Sequence, residues 1–181
     1  MRAHAGIMII VGILLLAGLA SAADAYTIQL TNTPTWIVAN GVDRATITAI
    51  VLNSSTPVEG ATVTFSVNDT AFGSMSPTIN TTSASGMAQS FLKAGTRSGT
   101  AEITAAMTYV DGYGATYTAT SKITQNIDHD SPYVPVYDHA PSATIKTEVP
   151  VTITFKDRWG NLIDSRNPAE IHTVSLHVHG P

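Results

Sequence analysis

The sequence predicts an all-β protein whose main body is a sandwich of two sheets. Two observations lead there. RATITAIVLN (residues 44–53) and ATVTFSVN (61–68) alternate, so that Ala61, Val63, Phe65 and Val67 share one face while Thr62, Thr64, Ser66 and Asn68 share the other. That is the pattern of a strand buried on one side only. Paired as a hairpin around the connector SSTPVEG, these strands cannot cover their own apolar face, since an isolated hairpin is marginal in water. Further period-two runs downstream can supply the second layer.

Taken in order, YTIQLT and TWIVA read as a first strand split at Asn32 to Pro34. Pro34 has no N–H to give a ladder, so this strand belongs at an edge. Asn40-Gly41 is a turn signal leading into the central pair. Residues 69–76 (DTAFGSMS) lack a period and read as a loop or irregular edge. Residues 77–83 and 86–94 read as short strands joined hairpin-fashion through Ala84-Ser85-Gly86. In residues 99–110, Ala101, Ile103, Ala105, Met107 and Tyr109 face one way and Glu102, Thr104 and Thr108 the other, which a helical period does not fit. Asp111-Gly112-Tyr113-Gly114 then turns the chain into residues 115–125, where Tyr117, Ala119, Ser121 and Ile123 alternate with threonines and Lys122. About seven short strands in roughly 100 residues is the cue for an Ig-like β-sandwich.

Residues 126–141 (NIDHDSPYVPVYDHAP) change character. Pro132, Pro135 and Pro141 stiffen the stretch, and Asp128, Asp130 and Asp138 give it solvated charge, as in an extended connector. The expected organisation is a first domain over 26–127, a Pro/Asp-rich linker over 128–142, and an incomplete second Ig-like β domain over 143–181. In the last, VPVTITFK (149–156) puts Val151, Ile153 and Phe155 on one face, DRWGN (157–161) is a turn, and IHTVSLHVH (171–179) is a further strand. This is about half a sandwich, too little to bury its inner face, so a neighbouring module or partner is expected to complete it.

Composition narrows the function. The chain has 181 residues, 44% hydrophobic and only 12% charged, with a net charge of −4. No basic surface exists to neutralise phosphates, which argues against nucleic acid as a partner. Cysteine is absent, so disulfides, thiolate metal sites and cysteine nucleophiles are excluded together. The abundant Thr and Ser suit exposed strand faces and can carry O-linked sugars. Residues 1–25 have Arg2, an apolar run from Gly6 to Ala20, and Ala20, Ser21, Ala22 and Ala23 behind it. This is the layout of a secretory signal peptide cleaved after Ala22 or Ala25. A retained anchor is the alternative, but the apolar run falls short of the roughly 20 residues of a membrane span. No second such segment follows, so the expected location is extracellular, at the cell surface, with no membrane span after cleavage.

Three segments, ANGVDRATITAIVLN from Ala39, VEGATVTFSVN from Val58 and TSASGMAQSFLKAGTRSGTAEITA from Thr82, together resemble the bacterial Ig-like domain of the invasin and intimin type, also frequent in archaeal surface proteins. The likeness lies in an entry turn, the Pro57-Val58-Glu59-Gly60 connector, the Thr64-Phe65 core pair, Gly86-Met87-Ala88, and the run GTAEITA from Gly99. It covers about residues 26–125. Gly60 and Gly86 are expected at turns where side chains would clash, and Phe65 at the sandwich centre. DHDSPYVPVYDHAP and VPVTITFKDRWGNLIDSR look like the joint and opening strands of a second such domain in surface proteins of methanogenic archaea. The resemblance implies a surface, sheath or adhesion component built of tandem rigid modules, with no catalytic residues and no cofactor. Its partners would be neighbouring Ig-like modules or other copies of the surface protein.

Candidate chemistry is sparse. Asn53-Ser54-Ser55, Asn68-Asp69-Thr70 and Asn80-Thr81-Thr82 are N-glycosylation sequons. His177 and His179 share one face of a strand, where they could ligate zinc or copper given a third ligand; exposed strand histidines are the simpler reading. Asp128, His129, Asp130 and Asp138 could gather calcium, but their spacing matches no calcium loop, and solvated linker charges are the simpler reading. No nucleophile elbow or phosphate loop occurs, so catalysis, as in a fragment of an exported hydrolase, is not expected. A structural module of a stalk, sheath or surface layer is the leading expectation. The alternative is an adhesin binding a protein or glycan through aromatic loop residues, for which Trp36, Phe72, Tyr113 and Tyr133 are candidates.

Overall fold

The computed structural model describes residues 25–131, 134–139, 150–164, 166–168, 173 and 175. The leader through residue 24, Tyr133, and His177 and His179 lie outside the described residues. In chain order the strands of the main body are β1 (Tyr26–Thr33), β2 (Trp36–Val38), β3 (Arg44–Asn53), β4 (Thr56–Pro57) and β5 (Thr62–Val67). They continue as β6 (Gly73–Ser76), β7 (Ile79–Thr81), β8 (Met87–Ala94), β9 (Gly99–Val110) and β10 (Thr116–Asp128). Two more strands, β11 (Val134–His139) and β12 (Val151–Lys156), form a separate antiparallel pair.

The main body is an Ig-like β-sandwich. One sheet has the order β1-β3-β8-β6, with β4 folded back on β3; the other has the order β2-β10-β9-β5-β7. Its layers close because buried residues alternate with outward ones along the long strands. Most of the outward ones are polar, with Ile50 and Leu52 of β3 and the exposed Met87 and Phe91 of β8 the apolar exceptions on those two strands. Ala45, Ile47, Ala49 and Val51 of β3 are fully buried, as are Ala101, Ile103 and Ala105 of β9. The alanines let bulkier neighbours reach the midline: Phe65, 1% exposed, stands beside Ala105 in the ladder. Burying a ring of that size removes enough apolar surface from water to be worth roughly 1.5–3 kcal/mol.

Several sequence expectations are corrected by this topology. The strands at 44–53 and 62–67 are not a hairpin: β3 and β5 lie in opposite sheets, and β4 inside the connector takes the place beside β3. Likewise β7 pairs with β5 while β8 pairs with β3 and β6, so 77–83 and 86–94 straddle the sandwich. Residues 73–76, expected as loop or irregular edge, make a regular edge strand against β8. The split at Asn32 to Pro34 is a change of sheet. Beyond it β2 runs parallel to the end of β10, with Ile37 beside Ile127. Asn32 fastens this corner, its Nδ2 donating to the Thr124 carbonyl at 3.1 Å and to Gln125 Oε1 at 2.7 Å. The hairpin of β9 and β10 around residues 111–115 forms where the sequence places it.

Gly60 and Gly86 both have left-handed backbones, φ +79° and +71°. Only Gly86 also lacks room, because a Cβ there would sit 2.6 Å from the Val51 carbonyl oxygen; at Gly60 the space is open, which corrects the clash expected there. The Pro/Asp-rich stretch is not a free connector. β10 runs on to Asp128, and residues 134–139 pair with β12 from Val134↔Lys156 to His139↔Val151.

Candidate functional site

The densest polar chemistry among the described residues lies where the sandwich meets the β11–β12 pair. Asp128, His129 and Asp130 are 3%, 3% and 8% exposed, which corrects the reading of them as solvated charges. Buried carboxylates need donors, and the turn after β12 brings them. Asp157, 3% exposed, organises that turn: Oδ1 accepts from the backbone N–H of Trp159 at 2.9 Å and of Asn161 at 2.8 Å. Gly160 completes it with φ +87°, a backbone angle at which a side chain is strained.

The same turn reaches across to the sandwich through five contacts. Asp157 Oδ2 accepts from the Asp130 backbone N–H at 2.9 Å. Asn161 Nδ2 donates to the Thr96 carbonyl, and Asn161 Oδ1 accepts from Ser98 N–H, both at 2.9 Å. Trp159 Nε1 donates to Asp130 Oδ2 at 3.2 Å, and Arg158 Nη2 pairs with that oxygen at 2.6 Å. Thus loop 95–98 and the end of β10 form the acceptor, and residues 157–161 fit it group for group. Burial pushes the Asp157 carboxyl up, but the Asn161 side chain and the N–H groups of Asp130, Asn161 and Trp159 outweigh it and hold the group below its ordinary 3.8.

Beside the joint, Asp128, His129 and Asp164 offer ligand atoms that all lie within 4.8 Å of one another. His129 Nδ1 is 2.9 Å from Asp128 Oδ1, and Asn167 Nδ2 donates to Asp128 Oδ2 at 2.7 Å. One imidazole and two carboxylates suit a borderline divalent ion such as zinc better than calcium, which takes oxygen ligands throughout. Asp164 also bonds Arg166 Nε at 2.7 Å. Burial raises the Asp164 carboxyl, while the Arg166 backbone and guanidinium and the nearby His129 bring it below 3.8. Of the four expected calcium ligands, only Asp128 and His129 come together; Asp130 is taken by Arg158 and Trp159, and the exposed Asp138 stands on β11. Asp164 and Asp157 escaped the sequence reading, although the pattern Asp157-x-x-Gly160-Asn161 marked a turn.

The sequons differ in access. Asn68 is exposed, its Oδ1 accepting from Glu102 N–H at 3.0 Å. Asn80 is half-buried and its Nδ2 is bonded to the Gln89 carbonyl at 2.9 Å. Asn53 is half-buried on the rim of an open groove of ≈ 570 Å³ that also includes Tyr26, Thr56, Glu59 and Tyr109. The aromatic loop candidates are dispersed. Phe72 is 8% exposed, with Arg97 stacked 4.8 Å from its ring centre. Trp36 pairs opposite Asn126 at one end of β10, whereas Tyr113, 98% exposed, tips the hairpin at the other.

No curated protein sequence matches the chain. Among solved structures it is similar to the D0–D1 domains of intimin, with 25% identity, TM-score 0.42, and 57% of this chain covering 49% of that one. It is also similar to the Yersinia pseudotuberculosis adhesin InvE, with 28% identity, TM-score 0.46, and coverage of 72% and 34%. The chain thus spans less than two thirds of either protein. The sequence model of the bacterial Ig-like domain (group 1) matches residues 27–124, more than half of the chain, from the second residue of β1 into β10. With the sandwich topology already in place, that match settles membership: the chain belongs to the bacterial Ig-like domain (group 1) family.

Proposed function

We propose that the chain is a non-catalytic structural module of an extracellular surface protein, joined in tandem to a second Ig-like module that begins at β11. The observation that carries this is the joint. A loose tether would leave Asp130 and Asp157 in water, whereas here both are buried and bonded across to partners on the other side. Such a joint transmits orientation from one module to the next, as a stalk, sheath or surface layer requires. Family membership supports a module without catalysis, and the leader-like residues 1–25 support export.

A second reading, an adhesin whose loops hold a protein or glycan, is favoured by one feature, the fully exposed Tyr113 at the β9–β10 tip. Aromatic residues so placed are frequent binding anchors. Membrane-impermeant amine biotinylation of intact native cells tests the location, since Lys93 and Lys122 lie on exposed positions of β8 and β10. Labelling of intact cells is the expected result; labelling only after lysis would overturn an extracellular role.

A further inference from the structure

We propose that the turn at residues 157–161 is a docking key, and that its side chains, rather than the strands around it, decide which module the sandwich accepts at its loop 95–98. The inference rests on the tandem reading above. It starts from a repeat. In the sandwich, β1 places Thr27 opposite Leu52 of β3, Leu52 pairs with Pro57 across a turn, and Val58 N–H donates to the Val51 carbonyl at 3.0 Å. In the second unit, β11 places Val134 opposite Lys156 of β12, Lys156 bridges to Leu162 across a turn, and Ile163 N–H donates to the Phe155 carbonyl at 3.0 Å. The two units therefore open with the same strands in the same register, and Lys156 stands where Leu52 stands.

What differs is the turn between. In the sandwich it is Asn53-Ser54-Ser55-Thr56; in the second unit it is Asp157-Arg158-Trp159-Gly160-Asn161. The second turn supplies a carboxylate for the Asp130 N–H, a carboxamide that both gives to Thr96 and takes from Ser98, and an indole N–H with a guanidinium for the Asp130 carboxylate. The first turn has no carboxylate, no cation and no indole to answer Asp130, and its one carboxamide, Asn53, opens the turn where Asn161 closes it. Asp130 is buried, and a buried polar group left without its partner is costly, so at that residue the acceptor selects by rejection as much as by attraction. The partner that fits is an Ig-like module whose first strand turn carries Asp, an aromatic N–H and Asn in this spacing.

The test uses the full chain and residue-resolved amide hydrogen exchange by NMR. One variant replaces residues 157–161 with Asn-Ser-Ser-Thr; a second is Asn161→Ala. In the replacement, the amides of Ser98 and Asp130 should lose at least tenfold protection, while those of β3, β9, β11 and β12 keep theirs. Asn161→Ala should release Ser98 and spare Asp130. Unchanged protection at Ser98 and Asp130 in the replacement would overturn the proposal, because some other contact would be holding the joint. Equal loss across β3 and β9 would overturn it too, since the turn would then merely support the fold. If instead β11 and β12 exchange freely in the unaltered chain, the tandem reading itself fails, and with it the key. That outcome is separable from the others because it appears before any substitution.

Discussion

Thr82 is 4% exposed, and its hydroxyl holds two backbone groups of the connector at once. It donates to the Val58 carbonyl at 2.7 Å and accepts from Ala61 N–H at 2.9 Å. Thr82→Val keeps the shape and strands both groups out of reach of water, so we expect a loss of about 1–3 kcal/mol. In a sandwich of this size that lowers the thermal midpoint by at least about 4 °C, measurable by calorimetry; a midpoint within a degree of the parent would mean that the two groups find other partners. The glycines separate in the same way. Gly60→Ala meets only the left-handed backbone penalty, about 1–2 kcal/mol, whereas Gly86→Ala adds contact with the Val51 carbonyl oxygen at 2.6 Å. Gly86→Ala should therefore unfold at clearly lower urea than Gly60→Ala, and equal midpoints would show that the backbone near Val51 yields. Both glycines were legible as turn positions in the sequence. The difference between them was not, because the Val51 carbonyl is delivered by the fold, with Val51 N–H bonded back to the Gly86 carbonyl at 2.8 Å.

At the scale of elements, alternation made β3, β5, β9 and β10 readable, since each buries one face and bares the other. What it could not give was the pairing. Adjacency in sequence suggests hairpins, and β9 and β10 form one, but β5, β6, β7 and β8 cross between the layers in turn. The joint was misread for a related reason. Aspartate and proline signal a solvated connector, yet Asp130 receives its donors from Arg158 and Trp159, far along the chain. The hydrogen bonds that Asp157 accepts have a pH consequence. Asp157 is held below its ordinary 3.8 in the folded chain, so its contribution is full above 3.8, shrinks as pH falls below it, and is gone once the folded value is passed. The Asp130 amide should accordingly lose protection on acidification below 3.8 before the β3 and β9 amides do. Protection at Asp130 that stays level with the core throughout would show that the carboxylate does not hold the turn.

For the whole molecule, glycans attached at the sequons would decide which surfaces stay free for neighbours. Asn53 sits on the groove at the end of the sandwich formed by Tyr26 and Tyr109, while Asn68 follows β5 near Glu102, towards the end that carries the joint. An N-glycan is built on Nδ2, so access to that atom in the folded chain orders the sites. Asn80 has its Nδ2 tied to the Gln89 carbonyl at 2.9 Å, in a contact that links β7 of one sheet to β8 of the other. Reaching it in the folded chain means approaching a half-buried nitrogen already held between the layers. Asn68 is exposed and uses its Oδ1, leaving the structure undisturbed when Nδ2 is substituted. If the chain is glycosylated after folding, occupancy at Asn68 should therefore exceed that at Asn80 several-fold, as read by glycopeptide mapping of protein from native cells. Higher occupancy at Asn80 would place the transfer before the sheets close.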